Sequence, residues 1–200
     1  GVPLGIDAKG VSAMMCTDDG RLWYSAEGRT YVCTTSGNRI TERELVSEDA
    51  AVTVFCEGRD GTVWGGSKDG LYCWKNHGNQ SLLLQGQAIQ DIALSADGRL
   101  LVSAGKGTLL SVGSDGTVDN FALPEELGEV SANCIHCSES GDLWLGTFKN
   151  EIIHIGADSL QRYRLEDIQG PTSISSITED MRGNIWVSTN HGLCAVTRQY

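Results

Sequence analysis

Apolar and polar positions alternate along this chain in short runs, each broken by a polar turn. "ANCIHC" (132–137), "LWLG" (143–146), "EIIHI" (151–155) and "LQRYRL" (160–165) follow one another with only a few residues between them. A period of two puts alternate side chains on opposite faces of a strand. The connecting residues are Gly, Asp, Asn and Ser, which tolerate the positive φ that tight hairpins need. The segment "AVTVFC", "TVWGG", "LYCW", "SLLL" (51–84) reads the same way. No long apolar stripe of period 3.6 interrupts these runs, so little helix is expected.

The hairpins themselves recur. "DDGRLWYS" (18–25), "RDGTVWGG" (59–66), "ADGRLLVS" (96–103), "ESGDLWLG" (139–146) and "MRGNIWVS" (181–188) align on Gly20, Gly61, Gly98, Gly141 and Gly183, at intervals of 41, 37, 43 and 42 residues. Trp23, Trp64, Trp144 and Trp186 stand three residues after the glycine, and Leu101 takes that place in the third unit. Nine positions before the Trp the residue is always apolar: Met14, Phe55, Ile92, Ile135 and Ile177.

Four short strands per unit of about forty residues predict an all-β fold, a β-propeller of four-stranded antiparallel blades. The chain, residues 1–200, reads as one propeller, with repeats near 11–46, 51–85, 88–123, 131–166 and 173–200. The indoles are expected to wedge neighbouring blades, and the apolar first-strand residues to pack between them. Each buried indole removes roughly 150–250 Å² from water.

Composition narrows the chemistry. The formal net charge is -11, and no cluster of Lys or Arg suits a phosphate backbone, so nucleic acid is not an expected partner. No apolar run approaches the length that spans a bilayer, so direct membrane insertion is not expected. Gly1 opens the chain without Met or a leader, which suggests a processed or excised piece of a longer polypeptide.

The seven cysteines are an odd number, and Cys134 and Cys137 form a C-x-x-C. With no second pair, they read as small buried hydrophobes rather than a zinc site. The four histidines, His77, His136, His154 and His191, make no H-x-H or H-E-x-x-H. Asp18, Asp19, Asp60, Asp97, Glu139 and Asp180 recur with the first turn and read as turn caps rather than catalytic pairs or calcium ligands. The Asn79-Gln80-Ser81 sequon carries little meaning alone. No catalytic residue, metal or cofactor is expected.

"DGTVWGGSKDGLYCW" and "RGNIWVSTNHGLCAV" resemble two-component regulator propeller repeats, whose pattern is roughly D-x-x-G-x-Φ-W-Φ-G-T-x-x-G-L with Φ apolar. The likeness is closest in units two, four and five. The resemblance implies a non-enzymatic, ligand-sensing module in the periplasmic sensor region of a hybrid histidine kinase of the Bacteroidetes type. It also implies a response to carbohydrate breakdown products, and a kinase in the parent protein rather than in this fragment.

Such propellers usually have seven blades, and this chain has five. Pro3 and Pro124 each lie 20 residues before a repeat Trp, so residues 3–10 align with a linker and not with a latch strand. A partial propeller with a three-stranded last blade is therefore expected. Its partners would be the remaining blades and downstream domains of the parent chain, or a second copy in a homodimer.

Propeller ligands usually sit at the turns joining strands two and three and at the links between blades. Those turns carry Arg29, Lys68, Asp69, Lys106, Lys149, Asn150, Asn190 and His191, with Phe148 as the nearby aromatic. A small ligand or oligosaccharide is expected on this rim. A protein-interaction scaffold is the alternative reading. A propeller lyase or glycosidase is the third.

Overall fold

The computed structural model describes residues 9–37, 39–76, 78–164 and 173–196. It divides after Ile89 into two compact units.

The first unit holds two antiparallel sheets. One is β1 (Val11–Cys16), β2 (Leu22–Ala26), β3 (Arg29–Ser36) and β4 (Arg39–Ser47); the other is β5 (Val52–Glu57), β6 (Val63–Ser67), β7 (Gly70–Lys75) and β8 (Asn79–Leu83). In the second unit, β9 (Ile89–Leu94), which begins at the division, pairs with β10 (Leu100–Ala104), β11 (Thr108–Val112) and β12 (Val118–Asn120). A sheet of β13 (Ala132–Cys137), β14 (Leu143–Thr147), β15 (Glu151–Ile155) and β16 (Leu160–Arg164) follows. The last sheet has three strands, β17 (Ile174–Glu179), β18 (Ile185–Thr189) and β19 (Gly192–Val196). The latch question falls largely on residues 1–8, outside the described residues, as does His77.

One turn is built five times. Gly20, Gly61, Gly98, Gly141 and Gly183 have φ of 82, 76, 84, 89 and 77°. Each amide donates to the carbonyl three residues back: Thr17, Gly58, Ser95, Ser138 and Asp180. An L side chain is strained at such φ, which is why the repeat keeps glycine there. The neighbouring acids hold the same loop. Asp19 accepts from the Arg21 amide, Asp60 from Thr62, and Asp97 from Arg99. The Ser95 hydroxyl, then the Arg99 amide, hold the Asp97 carboxyl below the usual carboxylate range.

The first strands also share an irregularity. Register shifts between Val11 and Ala13, Val52 and Val54, Ala132 and Cys134, and Ile174 and Ser176. Such a bulge re-aims one side chain. Here Ser12 donates to the Val52 carbonyl of the next sheet at 2.6 Å, and Asn133 donates to the Ile174 carbonyl of its next sheet.

The repeated Trp occupies one register position. Trp23 lies opposite Met15 and Val32, Trp64 opposite Cys56 and Cys73, Trp144 opposite His136 and His154, and Trp186 opposite Thr178 and Ala195. Trp23 packs with Ala50, Val52 and Val63 of the second sheet and lies 5.5 Å from Trp74. Trp144 packs with Ile174, Ile177, Ile185 and Val187 of the last sheet. Gly146 admits Ile174, because a Cβ there would lie 2.8 Å from its Cγ2.

Leu101 is too small to fill the same wedge alone. Leu127 completes it, packing with Leu101, Ile135, Leu143 and Leu145. It is delivered by a 3-10 turn, Glu125–Leu127, directly after Pro124.

The fourth strand of the third unit is short, ending at Asn120 after three residues. Phe121 and Leu123 turn in to pack against the Leu101 cluster, and Pro124 has no N–H to extend the ladder. Met14 is not packed between sheets. It is 61% exposed, on the face of the first sheet turned away from the second, whereas Ile92, Ile135 and Ile177 are buried.

Candidate functional site

The link from β12 to β13 and the turn from β14 to β15 meet at one end of the fourth sheet. There Glu129, Val130, Ser131, Thr147, Lys149, Glu151 and Arg162 line a crevice of about 260 Å³. A second depression, of about 550 Å³, shares the 129–131 wall and adds Lys106, Asn120, Phe121 and Glu125. The ladder fixes the geometry: Phe148 donates its amide to the Ser131 carbonyl at 3.1 Å, tying the turn to the link.

The charges in the crevice are organised. Glu151 lies 3.7 Å from Arg162 and 3.2 Å from Arg164. Arg162 also donates to the Leu127 carbonyl at 3.4 Å. Thr147 Oγ1 accepts from the amides of Lys149 and Glu151 at 3.2 and 3.1 Å. The surface therefore offers one ammonium, guanidinium groups, carboxylates and hydroxyls over a few ångströms. Phe148, 52% exposed, lies on the same turn.

The residues expected on the rim fare differently. Arg29, Lys68 and Asp69 belong to the first unit; Lys106, Lys149, Asn150, Asn190 and His191 belong to the second. Lys149 alone of these lines the crevice, and Lys106 lines the depression beside it. Lys68 is paired with its own neighbour, Nζ to Asp69 Oδ1 at 2.8 Å. Arg29 opens β3 and is exposed. Asn150 takes φ 63° and serves the turn, donating its amide to the Thr147 carbonyl. Asn190 accepts from the Ser173 amide at 2.7 Å, clamping the entry to β17. His191 is exposed and donates its amide to Thr189 Oγ1.

Glu129, Glu151 and Arg162 were not expected. Glu151 opens a third strand and Arg162 sits on a fourth, and rim positions deduced from turns alone miss both.

Asp91 is the other unexpected group. It sits on β9 and accepts the Ile135 amide at 2.8 Å and the Ile92 amide at 2.9 Å. Burial pushes its carboxyl up to about 6. Both oxygens are held by backbone donors, so it acts as a clasp between β9 and β13. A charged residue inside "AIQDIALS" was the available signal.

The remaining candidates for chemistry do not converge. Cys134 packs towards the last sheet and Cys137 towards the Leu101 cluster, because three residues along a strand reverse the face. A C-x-x-C laid on a strand in this way cannot pinch one metal. Burial pushes these thiols up to about 12 and about 11. Cys16 is exposed. A thiol reagent at neutral pH should therefore modify Cys16 within minutes and leave Cys134 intact until the protein unfolds, as peptide mapping would read. Rapid native labelling of Cys134 would contradict its burial.

His136 pairs with Glu179 at 3.4 Å. His154 pairs with Asp142 at 3.0 Å and stacks on Trp144, with ring centroids 4.1 Å apart. Among the described residues no three His, Cys, Asp or Glu side chains are grouped to hold a metal, and no helix is long and apolar enough to cross a membrane.

Residues 169–191, which include the last first-turn glycine and Trp186, match the family model described as two component regulator propeller. The fifth unit is thus similar to a two-component regulator propeller repeat. No curated protein matches the chain.

Among solved structures, the chain is similar to the extracellular domain of a hybrid two component system from B. thetaiotaomicron. That likeness has 21% identity and a TM-score of 0.72, and covers 93% of this chain and 27% of that one. A second such domain from the same organism gives 17% identity and a TM-score of 0.72, over 96% and 27%. Virginiamycin B lyase from Staphylococcus aureus gives 16% identity and a TM-score of 0.71, over 99% and 73%. The chain thus spans about a quarter of the hybrid-system structures. At these identities the likeness establishes the fold, an all-β propeller architecture whose last sheet has three strands.

Proposed function

We propose that this chain is a non-enzymatic, ligand-sensing module in the extracytoplasmic sensor region of a hybrid two-component receptor. A carbohydrate breakdown product is the proposed ligand class. The observation that carries the reading is the crevice at Glu129, Thr147, Lys149, Glu151 and Arg162, with Phe148 beside it. Alternating acids, cations and hydroxyls suit the many hydroxyls of a sugar, and an exposed phenyl ring offers a face to stack on. The regulator-propeller repeat supports the sensor role. A non-enzymatic role is supported by the engagement of His136 and His154 with single carboxylates and of Asp91 with backbone amides. Kinase activity would belong to other parts of the receptor.

A thermal-unfolding screen with oligosaccharides tests this. At a hundredfold excess over Kd, a true ligand stabilises the folded chain by about 2.7 kcal/mol. The shift should survive in Lys68→Ala and shrink in Lys149→Ala and Arg162→Ala. A panel with no shift, or a shift indifferent to both crevice variants, would remove the sugar reading.

A further inference from the structure

The crevice and the depression beside it flank one stretch of chain, Glu129–Ser131, which lines both. Two bonds pin that stretch between its neighbours. The Ser131 carbonyl accepts the Phe148 amide of the fourth sheet at 3.1 Å, and the Ala132 amide donates to the Gly107 carbonyl of the third sheet at 3.0 Å. A Cβ at Gly107 would lie 2.6 Å from the Ala132 nitrogen, so this close approach requires glycine. The two concavities therefore sit side by side across a fixed ridge.

Their chemistry differs. Apart from Val130, the crevice is lined by charged and hydroxyl side chains. The depression instead has Leu109, Phe121, Leu123, Pro124 and Val130 in its wall. Phe121, Leu123 and Val130 are half-buried against the Leu101 cluster, so that apolar wall is backed by the interior and already formed. Size separates the two as well. The crevice, at about 260 Å³, is smaller than the roughly 300–1,000 Å³ typical of ligand sites, whereas the depression, at about 550 Å³, falls inside that range. Sugar hydroxyls laid on Leu109, Leu123 and Pro124 would lose water without gaining a partner. An apolar substituent would not.

We propose, resting on the crevice as a sugar site, that the ligand is an aryl glycoside. Its sugar sits in the crevice, and its aromatic group crosses the ridge at Val130 into the depression. Two groups in the depression favour an aromatic over an aliphatic substituent. Phe121 offers a ring for stacked or edge-to-face contact. Lys106 is exposed and, among the described residues, has no carboxylate partner, so its ammonium is available to the face of a ring. Arg162 and Arg164, by contrast, are engaged by Glu151.

Calorimetric titration of the 200-residue chain with free sugars and their p-nitrophenyl glycosides tests this. The aryl form should bind at least ~tenfold more tightly, which is what burying on the order of 60 Å² of apolar surface contributes. Lys106→Gln and Leu123→Ala should each shrink that ratio, measured between the two ligands within one variant. Lys106 is exposed, so its variant carries the test if Leu123→Ala fails to fold. Free sugars that bind with no gain from the aryl group would overturn this proposal and leave the sugar site standing. Binding by neither form would remove both. A hexyl glycoside that gains as much as the aryl one would overturn the aromatic assignment, and so would p-nitrophenol alone binding as tightly as its glycosides.

Discussion

Between pH 4 and pH 7 the chain should lose about 3 kcal/mol of stability through the carboxyl of Asp91, and Asp91→Asn should abolish that loss. The folded chain holds this carboxyl at about 6, against 3.8 ordinarily, because it sits half-buried between β9 and β13. In that window the folded state keeps a proton that the unfolded state has released. Stability therefore falls as pH rises, at 1.36 kcal/mol for each pH unit of separation. The contribution is fully present below about pH 4 and lost as pH climbs through about 6. Asparagine cannot ionise, yet it leaves an oxygen to accept the Ile135 or Ile92 amide. Urea unfolding of both proteins at pH 4.5, 5.5 and 7 reads the effect, with the variant gaining steadily on wild type. Parallel pH profiles would show that Asp91 is better solvated than its position between two strands implies.

The second large effect belongs to the wedge. Trp144→Ala should cost about 3–5 kcal/mol, the range for deleting a large buried side chain and leaving a cavity. The indole stacks on His154 and packs against four residues of the last sheet, so its loss loosens the junction as well as its own strand. Trp186→Ala, at the same register position, should cost only about 1 kcal/mol. Trp186 is half-buried and chiefly loses its indole N–H bond to Asp180 Oδ2, 3.0 Å long, and hydrogen bonds of this kind contribute about that much. Chemical denaturation of the two variants separates a position in sequence from a position in a junction. Equal costs at 144 and 186 would mean that the indole acts within its own sheet.

Much of this was readable in the chain. The glycine of each first turn is dictated by backbone sterics, and Asp19, Asp60, Asp97 and Asp180 by the amides they cap. Both are local, so they survive translation from sequence to structure. The Trp register was legible because strand spacing is regular. Met14 was misjudged because the repeat shows which face a residue takes, not whether a neighbour exists to cover it. Lys149 was found because it lies in a turn. Glu129, Glu151 and Arg162 were missed because the crevice is formed by a blade link, a strand start and an edge strand, which no single repeat position reveals. The seven cysteines were read as small hydrophobes; Cys33, Cys73 and Cys134 are buried, and Cys16 is exposed.

Leu127 links two parts of the molecule that would otherwise be separate. It fills the space left by Leu101, and it stands two residues from Glu129, in the segment that walls the crevice. Its carbonyl takes the bond from Arg162, on the opposite wall. The crevice cannot open or narrow along that wall without tugging a plug seated in the interior. A molecule gripping Glu129 or Arg162 would therefore pull on the junction between the third and fourth sheets, which is held by aliphatic side chains instead of an indole.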